Sequence, residues 1–397
     1  MSLAQVKLDD KYLADEGRIY LNGTQAVVRL ALVQSRVDRA KGLSTRGFIT
    51  GYRGSPLGGL DQALDGAKKA VDEAGIVFTP GVNEDLAATA VLGTQQINVI
   101  EKANCDGVFA FWYGKGPGVD RSGDALKHGN LSGSAPKGGV VLLLGDDHPC
   151  KSSTTSHQSE FGMVDAMIPV LNPAGVGEII PFGLFGVALS RFSGCWTAMK
   201  LVAETMDSSA SITLEPDAGQ FIIPDFDAPE GGLHIRWPDK PQEQERRLHL
   251  HKLRAVHAFA RTNRIDRVDL SGPRRKIGIV TTGKSYLDVR QALEMLGIDE
   301  ARALALGLSI YKVGLVWPLE PQGTHAFAEG LDEILVVEEK RQLLEYQLKE
   351  ELYNWRDVVR PRVVGKFDDT GEWSNQHHAG HGDWLLPATY ELNPAQV

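Results

Sequence analysis

The sequence predicts an α/β protein built on a doubly wound parallel sheet, followed by a second, smaller parallel α/β domain. Short apolar runs alternate with helical patterns along the first half of the chain, which is typical of parallel strand–helix units. Residues 140–144 are apolar throughout, as expected for a central strand buried on both faces. A Pro- and Gly-rich stretch at 216–241 separates this pattern from a second set of strand–helix units.

In the first domain, helical patterns and strand-like runs alternate between residues 22 and 215. Helices are predicted over 22–39, 60–74, 83–102 and 177–206, and strands over 47–51, 76–78, 107–113, 139–145, 168–171 and 211–215. The segment Gly-Lys-Gly-Pro-Gly at 114–118 is interpreted as a turn that opens no helix, because its spacing does not match a dinucleotide fingerprint. Residues 146–160, rich in Ser, Thr and His, are expected to form a long loop.

A charged helix over 242–261 is predicted between the two domains. The second domain is predicted to contain strands over 277–280, 310–316 and 334–337 and helices over 285–296, 325–330 and 341–355. The resulting division is a first domain over 1–225, a linker and connecting helix over 226–272, a second domain over 273–360, and a polar tail over 361–397.

The composition is that of a soluble globular protein. Of the 397 residues, 42% are hydrophobic and 23% are charged, and the formal net charge is −9. A nucleic-acid surface is normally basic, so this balance argues against a nucleic-acid partner. Residues 1–17 include no apolar stretch, and no apolar run approaches the ~20 residues of a membrane helix. We therefore expect a cytoplasmic protein with no membrane partner.

The cysteines indicate a reducing environment. Cys105, Cys150 and Cys195 are scattered along the chain and odd in number, which favours free thiols over a disulfide framework. No CxxC spacing occurs, so the chain is not expected to ligate an iron–sulfur cluster through four thiolates of its own.

Two strand ends run into loops that carry reactive side chains. The first is TGYRGSP at 50–56, and the second is GVNEDLAATA at 81–90. Asn83 is a suitable N-cap for the helix that follows, with Glu84 and Asp85 in its first turn. Because the carboxyl ends of parallel strands meet at one edge of a sheet, we expect these two corners to form one pocket.

With these motifs in view, the sequence resembles the front part of the indolepyruvate:ferredoxin oxidoreductases in their fused form. The resemblance spans nearly the whole chain and is strongest in TGYRGSPLGG, GVNEDLAATA, WYGKGPGVDRSGD, GDDHPCKSSTTSHQSEFG and MIPVLNPAG. IGIVTTGKSY and EILVVEE are similar to the transketolase C-terminal-like domain of that family. The resemblance implies that the first domain has the fold that binds the pyrimidine ring of thiamine diphosphate.

The family's activity is the oxidative decarboxylation of a 2-oxoacid to an acyl-CoA, here with an arylpyruvate such as indolepyruvate favoured. The resemblance places the diphosphate and Mg²⁺ site, and the iron–sulfur clusters, on other segments or subunits, so the chain is interpreted as a subunit or fragment. The implied partners are the remaining domains or subunits, ferredoxin, the 2-oxoacid and coenzyme A, and a homo-oligomer is expected. A non-oxidative thiamine diphosphate-dependent decarboxylase or transferase and a non-catalytic regulatory subunit remain alternatives.

Glu84 is the residue to which the resemblance assigns catalysis, through a hydrogen bond to the pyrimidine nitrogen N1′ that drives the 4′-amino group to its imino form. The alternative is a helix-start carboxylate, a role that Asp85 fills equally well. Tyr52 is assigned to the cofactor. Ser55 occupies the position at which the family places a hydroxyl near the substrate carboxylate; otherwise it is a turn residue that caps the next helix.

Three basic residues are candidate contacts for the substrate anion: Arg53, Lys115 and Arg121. Arg53 stands where related split enzymes usually carry Pro. Lys115 and Arg121 have long side chains of the kind that are usually solvated, which is the alternative for both.

No metal site is predicted in this chain. Asp146 and Asp147 begin like the Mg²⁺ motif of thiamine enzymes, but only a lone Asn172 follows at the right distance, so we interpret the stretch as a loop. His148 and His157 in the same loop are candidates to line the pocket, although solvated loop histidines are commoner. A polar tail is the favoured interpretation of three further histidines: His377, His378 and His381.

Overall fold

A computed structural model of the chain describes residues 6–215, 218–368 and 384–397. Its strands, in chain order, are β1 (Arg18–Asn22), β2 (Arg46–Gly51), β3 (Ile76–Phe78), β4 (Val108–Lys115), β5 (Val140–Asp146), β6 (Val170–Leu171), β7 (Thr197–Val202), β8 (Ser209–Thr213), β9 (Arg267–Leu270), β10 (Ile277–Thr282), β11 (Leu308–Val313), β12 (Leu315–Trp317), β13 (Glu333–Val337) and β14 (Arg362–Val364).

The α-helices are α1 (Asp10–Leu13), α2 (Gly23–Ala40), α3 (Leu60–Gly66), α4 (Lys68–Glu73), α5 (Glu84–Gln95), α6 (Gly116–Arg121), α7 (Gly123–Ser132), α8 (Glu160–Asp165), α9 (Val176–Ser193), α10 (Ala203–Asp207), α11 (Pro241–Arg247), α12 (Leu253–Asn263), α13 (Gly283–Met295), α14 (Glu300–Leu306), α15 (Pro321–Ala328) and α16 (Leu344–Leu352). A 3₁₀ turn at Gln96–Asn98 follows α5, and a π turn at Leu248–Lys252 joins α11 to α12.

The first sheet confirms the predicted fold class. Its seven strands run in the order β12-β6-β7-β5-β4-β2-β3, and all pair in parallel except the antiparallel edge strand β12. The strand order changes direction between β2 and β4, because β3 lies on one side of β2 and β4 on the other, as in doubly wound folds. Helices cover both faces, with α2 and α9 on one face and α5 and α7 on the other.

The second sheet is smaller, and it also confirms the prediction. Its five strands run in the order β14-β13-β10-β11-β9, and only β9 is antiparallel. Strand β12 leaves this half of the chain after Gly314 and pairs with β6 of the first sheet. The N–H groups of Gly314 and Leu315 both donate to Asp266 Oδ1, at 2.7 and 2.9 Å. This crossing connects the two sheets directly.

Three predicted elements differ from the structure. The helix expected over 177–206 ends at Ser193, where Gly194 adopts a left-handed conformation, and the buried strand β7 follows it. The helix starting at Asn83 ends at Gln95 instead of near residue 102. The segment 114–118, expected to open no helix, does begin one: α6 starts at Gly116, with Pro117 in its first turn, where proline is well tolerated.

Two further differences concern the edges of the fold. The strand predicted at 211–215 is β8, and it pairs antiparallel with β1 in a separate two-stranded ribbon. Strand β14 lies within the stretch expected to be a polar tail. His377, His378 and His381 lie outside the described residues.

Helix α9 is apolar for a structural reason. Its length and composition would allow it to cross a membrane, but 67% of it is buried inside the protein. It packs on α2, β5 and β7, so its hydrophobic surface belongs to the core of the first sheet.

Candidate active site

The two motif corners meet at the carboxyl edge of the first sheet. Strand β2 pairs with β3 on one side and β4 on the other, so the loops after all three strands emerge together. The N–H of Gly81 donates to the carbonyl of Gly51 at 2.7 Å, and the N–H of Tyr52 donates to the carbonyl of Tyr113 at 3.0 Å. The two corners therefore lie side by side at one edge of the sheet, as expected from parallel strands.

Glu84 is the first residue of α5 and points into this edge. The Asn83 side chain accepts the N–H of Leu86 at 2.8 Å, which fixes the start of the helix as predicted. The Glu84 residue is only 8% exposed. A local capping signal therefore places this carboxylate at a defined point of the pocket.

Two further residues, Trp112 on β4 and Gly118 on α6, contact Glu84. The indole Nε1–H of Trp112 donates to the Glu84 main-chain carbonyl at 2.9 Å. Gly118 lies directly over the side chain, because a Cβ added there would be 2.6 Å from Glu84 Cγ and 2.7 Å from Oε1. From the sequence, the 114–118 segment is expected to be a turn beside the substrate pocket, whereas the contacts of Trp112 and Gly118 with Glu84 are not predicted.

The Glu84 carboxylate has no hydrogen-bond partner within the part of the chain that the structure describes. The residue is largely buried, yet its carboxylate oxygens are left open to a ligand that brings its own donor. Chemically, such a group can share a proton with a ring nitrogen.

The Ser55 corner follows β2 at the same edge of the sheet. Ser55 is half-buried, and the turn is closed by the N–H of Leu57, which donates to the Gly54 carbonyl at 2.7 Å. The next helix, α3, has Gly59 as its N-cap and no side-chain cap, so Ser55 does not cap it. Among the described residues, the Ser55 hydroxyl has no hydrogen-bond partner, which leaves it available to a ligand.

Two of the three basic candidates, Lys115 and Arg53, lie at this corner. The Lys115 side chain lies over Gly54, because a Cβ at that glycine would be 2.5 Å from Lys115 Cδ. Arg53 is exposed at the same turn. Arg121, the last residue of α6, is exposed, and among the described residues no hydrogen bond or ion pair joins it to Glu84. Tyr52, 43% exposed, faces solvent beside the corner.

The loop after β5 is held by its own carboxylates. Asp146 accepts both the N–H and the hydroxyl of Ser159, at 2.9 and 2.5 Å, which closes the ends of the loop on each other. Asp147 accepts the N–H groups of Lys151 and Ser152. Burial alone would raise the pKa of Asp147, but these hydrogen bonds lower it below its ordinary value.

The two loop histidines have different surroundings. His148 is fully buried; its Nδ1–H donates to the His157 carbonyl at 3.0 Å, and its Nε2 has no partner among the described residues. Burial and the nearby Lys200 ammonium hold the pKa of His148 well below its usual value. The ring of His157 lies against Gly116, where a side chain would overlap it, and donates from Nε2 to Asp120 at 2.7 Å.

Among the described residues, no group of three or more His, Cys, Asp or Glu side chains is arranged to hold a metal ion. Asn172 lies away from Asp146, with its side chain packed on Gly283 of the second half. Cys105, Cys150 and Cys195 are free thiols, and burial raises the pKa of Cys195 to about 11.

Comparisons with known proteins agree with this architecture. Residues 266–397 match the family model of the indolepyruvate ferredoxin oxidoreductase middle domain. The indolepyruvate oxidoreductase subunit IorA of Methanothermobacter thermautotrophicus is 26% identical over 394 residues, covering 98% of this chain and 55% of that protein. The IorA subunit of Pyrococcus horikoshii is 25% identical over 396 residues, covering 98% of this chain and 53% of its own length.

Two solved structures share the fold. The 2-oxoglutarate:ferredoxin oxidoreductase from Magnetococcus marinus aligns with a TM-score of 0.62 at 16% identity, over 88% of this chain and 62% of that one. A split-gene transketolase aligns with a TM-score of 0.50 at 11% identity, over 87% of this chain. The chain spans about half the length of the curated relatives it matches. The sequence matches therefore make the chain similar, over nearly its whole length, to the IorA subunits of indolepyruvate oxidoreductases and, over residues 266–397, to the middle domain of indolepyruvate ferredoxin oxidoreductase.

Proposed function

We propose that this chain is the part of a thiamine diphosphate-dependent 2-oxoacid:ferredoxin oxidoreductase that holds the pyrimidine ring of the cofactor, with an arylpyruvate such as indolepyruvate as substrate. The observation that carries the proposal is Glu84, a largely buried residue whose carboxylate has no hydrogen-bond partner among the described residues and is covered on one side by the main chain of Gly118. We assign residues 1–225 to the pyrimidine-binding domain, 226–272 to the linker, 273–360 to the transketolase C-terminal-like domain and 361–397 to a tail.

The site fits the aminopyrimidine ring on two grounds. An unpaired acid supplies the partner that a ring nitrogen needs, and the glycine over it keeps side chains out of the space beside the carboxylate. When bound, thiamine diphosphate supplies a nucleophilic carbon and an electron sink for decarboxylation. We assign the diphosphate and its Mg²⁺, and the iron–sulfur clusters, to other segments or subunits of the assembly.

Each residue of the pocket then has a role. Glu84 holds a proton at the pyrimidine N1′ nitrogen and thereby sets the tautomer of the ring, while Tyr52 contacts the cofactor beside it. The Ser55 hydroxyl donates to the substrate carboxylate, and three cations offset its charge: Arg53, Lys115 and Arg121. Lys115 has the best support among these, because its stem already lies on the Ser55 turn.

The proposed setting follows from this chemistry. The remaining domains or subunits complete the cofactor site, ferredoxin accepts the electrons, and coenzyme A takes the acyl group. We place the enzyme in the cytoplasm and expect a homo-oligomer, because a cofactor held between two kinds of domain requires their assembly.

Glu84→Gln in the complete assembly tests the proposal. The amide is nearly isosteric but cannot act as the acid that N1′ requires, so exchange of the cofactor C2 proton, followed by NMR, should fall by more than about a hundredfold. Asp85→Asn is the matched control, since Asp85 lies in the same first helical turn and shares only the favourable helix-start charge. If both variants behave alike, Glu84 is merely a helix-start residue, and the proposal is wrong.

A further inference from the structure

The loop between β5 and α8, residues 147–159, reaches the helix that covers Glu84. Its ends are closed by the two hydrogen bonds from Ser159 to Asp146. Closed in this way, the loop presents His157 to α6 and Gln158 to the second half of the chain. The loop therefore contacts both α6 and the second half of the chain.

His157 clamps α6 near both of its ends. The imidazole lies against Gly116, the first residue of α6, and a side chain there would overlap the ring. Its Nε2–H donates to Asp120 near the other end of the helix at 2.7 Å, and Thr155 Oγ1 lies 3.2 Å from Nδ1. The imidazole itself is mostly buried, with 17% of its side chain exposed.

Gly118 lies between the two clamped positions. It is the residue whose main chain covers the Glu84 side chain, with an added Cβ only 2.6 Å from Cγ. Because α6 is a short helix, fixing Gly116 and Asp120 also fixes Gly118. The His157 ring thus determines how closely the main chain approaches the Glu84 carboxylate.

The other side of the loop is fastened to the second half of the chain. Gln158 Nε2 donates to the Arg341 carbonyl at 2.9 Å, and the Arg341 N–H donates to Gln158 Oε1 at 3.0 Å. Lys340 Nζ donates to the His148 carbonyl at 3.1 Å, and His148 Nδ1–H donates to the carbonyl of His157 itself. These hydrogen bonds therefore tie the main chain at His157 to the loop between β13 and α16.

We propose that His157 is a positioning residue for Glu84, acting through Asp120 and α6, and that the loop couples the placement of the second domain to the Glu84 carboxylate. This inference rests on the proposed function, because it concerns the approach of Glu84 to the cofactor ring. Asp120 is 70% exposed, so its pair with His157 contributes little to global stability, and its effect is local.

Two variants of His157 distinguish the loss of its hydrogen bond to Asp120 from the loss of the whole side chain. His157→Ala removes both the ring on Gly116 and the donor to Asp120, whereas His157→Gln keeps an N–H donor near the Nε2 position. His128→Ala is the matched control, because His128 is an exposed histidine 3.5 Å from Asp124 on the neighbouring helix α7, with no hydrogen bond or ion pair to Glu84 or α6 among the described residues.

The first readout needs no cofactor. Amide hydrogen exchange of the chain should become at least about tenfold faster across residues 114–121 in His157→Ala, with His157→Gln close to wild type and His128→Ala unchanged there. The second readout is exchange of the cofactor C2 proton in the complete assembly. It should slow by about tenfold in His157→Ala and be largely restored in His157→Gln, because a carboxylate displaced by a fraction of an ångström loses its alignment.

The outcomes are distinguishable. Unchanged amide exchange across 114–121 would show that His157 does not hold α6, and the inference would be overturned. Faster amide exchange with an unchanged C2 rate would show that α6 does not position Glu84, which also overturns it while the proposed function stands. If wild-type assembly shows no C2 exchange that depends on Glu84, the proposed function fails, and this inference fails with it.

Discussion

Replacing Gly118 by alanine tests the geometry around Glu84 with a single methyl group. The added Cβ would lie 2.6 Å from Glu84 Cγ, 2.7 Å from Oε1 and 2.9 Å from Cδ. Non-bonded carbon atoms settle about 3.5–4 Å apart, so about 1 Å must be gained by moving the carboxylate, the helix α6 or both.

The two kinds of movement have different consequences. Overpacking of this kind costs about 1–3 kcal/mol of unfolding free energy. A carboxylate displaced by about 1 Å would slow exchange of the cofactor C2 proton by about a hundredfold in the assembled enzyme. We expect both effects, since Glu84 and Gly118 lie on elements that are each fixed by other contacts.

The stability effect can be measured on the chain alone by urea unfolding in a double-mutant cycle. In Gly118→Ala the loss should be present with Glu84 intact and largely absent in a Glu84→Ala background, because the clash is with that side chain. Gly123→Ala is the control, since a Cβ at the start of α7 meets nothing within 4 Å. Equal losses in both Glu84 backgrounds would refute the reasoning, as would a wild-type C2 exchange rate in Gly118→Ala.

Three further predictions concern the same region and the junction between the sheets. Trp112→Phe removes the donor to the Glu84 carbonyl and should cost about 1–2 kcal/mol more stability than Trp196→Phe, whose buried indole N–H has no partner among the described residues; equal losses in urea would contradict this. Ser55→Ala should raise the substrate KM about tenfold or more at an unchanged melting temperature, whereas a lowered melting temperature at unchanged KM would mean a turn residue. Burial raises the pKa of Asp266 from 3.8 to about 7, so between those values the folded chain keeps a proton that the unfolded chain has lost, and stability falls as pH rises. Asp266→Asn keeps an acceptor for both backbone N–H groups, so its stability relative to wild type should rise from pH ~4 to ~7 in thermal melts, and a flat difference would contradict the assignment.

The part of the site that the sequence predicts is the part fixed by local signals. Asn83 at a helix start, followed by acidic residues, predicts a cap and places Glu84 in the first turn, and the structure has both. The expectation that the two motif corners meet depends only on parallel strands ending at one edge of a sheet. The cap can be predicted from a few neighbouring residues, and the meeting of the corners can be predicted from the fold class.

The elements that the sequence does not predict depend on contacts between distant segments. Lys200 lies in the middle of β7, and a lysine is not expected in a buried strand. Its ammonium is nevertheless buried, because it pairs with Glu160 at 2.5 Å. The hydrophobic periodicity of the sequence cannot reveal an ion pair between residues 40 positions apart. Strand β12 continues a run assigned to the second domain but pairs with β6, because Gly314 and Asp266 turn the chain toward the first sheet.

The surroundings of Glu84 belong to the same category. Trp112 and Gly118 lie 28 and 34 residues further along the chain and reach Glu84 only because β4 pairs beside β2 and α6 follows it. An aromatic residue in a strand and a glycine near a proline are ordinary in sequence, so no local pattern assigns them to the site. The helix α6 itself is missed for the same reason, since its Gly-Pro-Gly start looks like a turn.

The way in which Glu84 is held bears on what its carboxylate can do. Hydrogen bonds from the protein to the carboxylate would stabilise its ionised form and occupy the oxygens that a ring nitrogen must reach. The structure instead fixes the residue through its main chain, with the Asn83 cap at the helix start and the Trp112 indole on the Glu84 carbonyl. The side chain is confined by the contact with Gly118, which restricts its position without satisfying its oxygens. A carboxylate that is located by its backbone and confined by packing leaves its oxygens open to a ligand, which is what the proposed contact with a pyrimidine nitrogen requires.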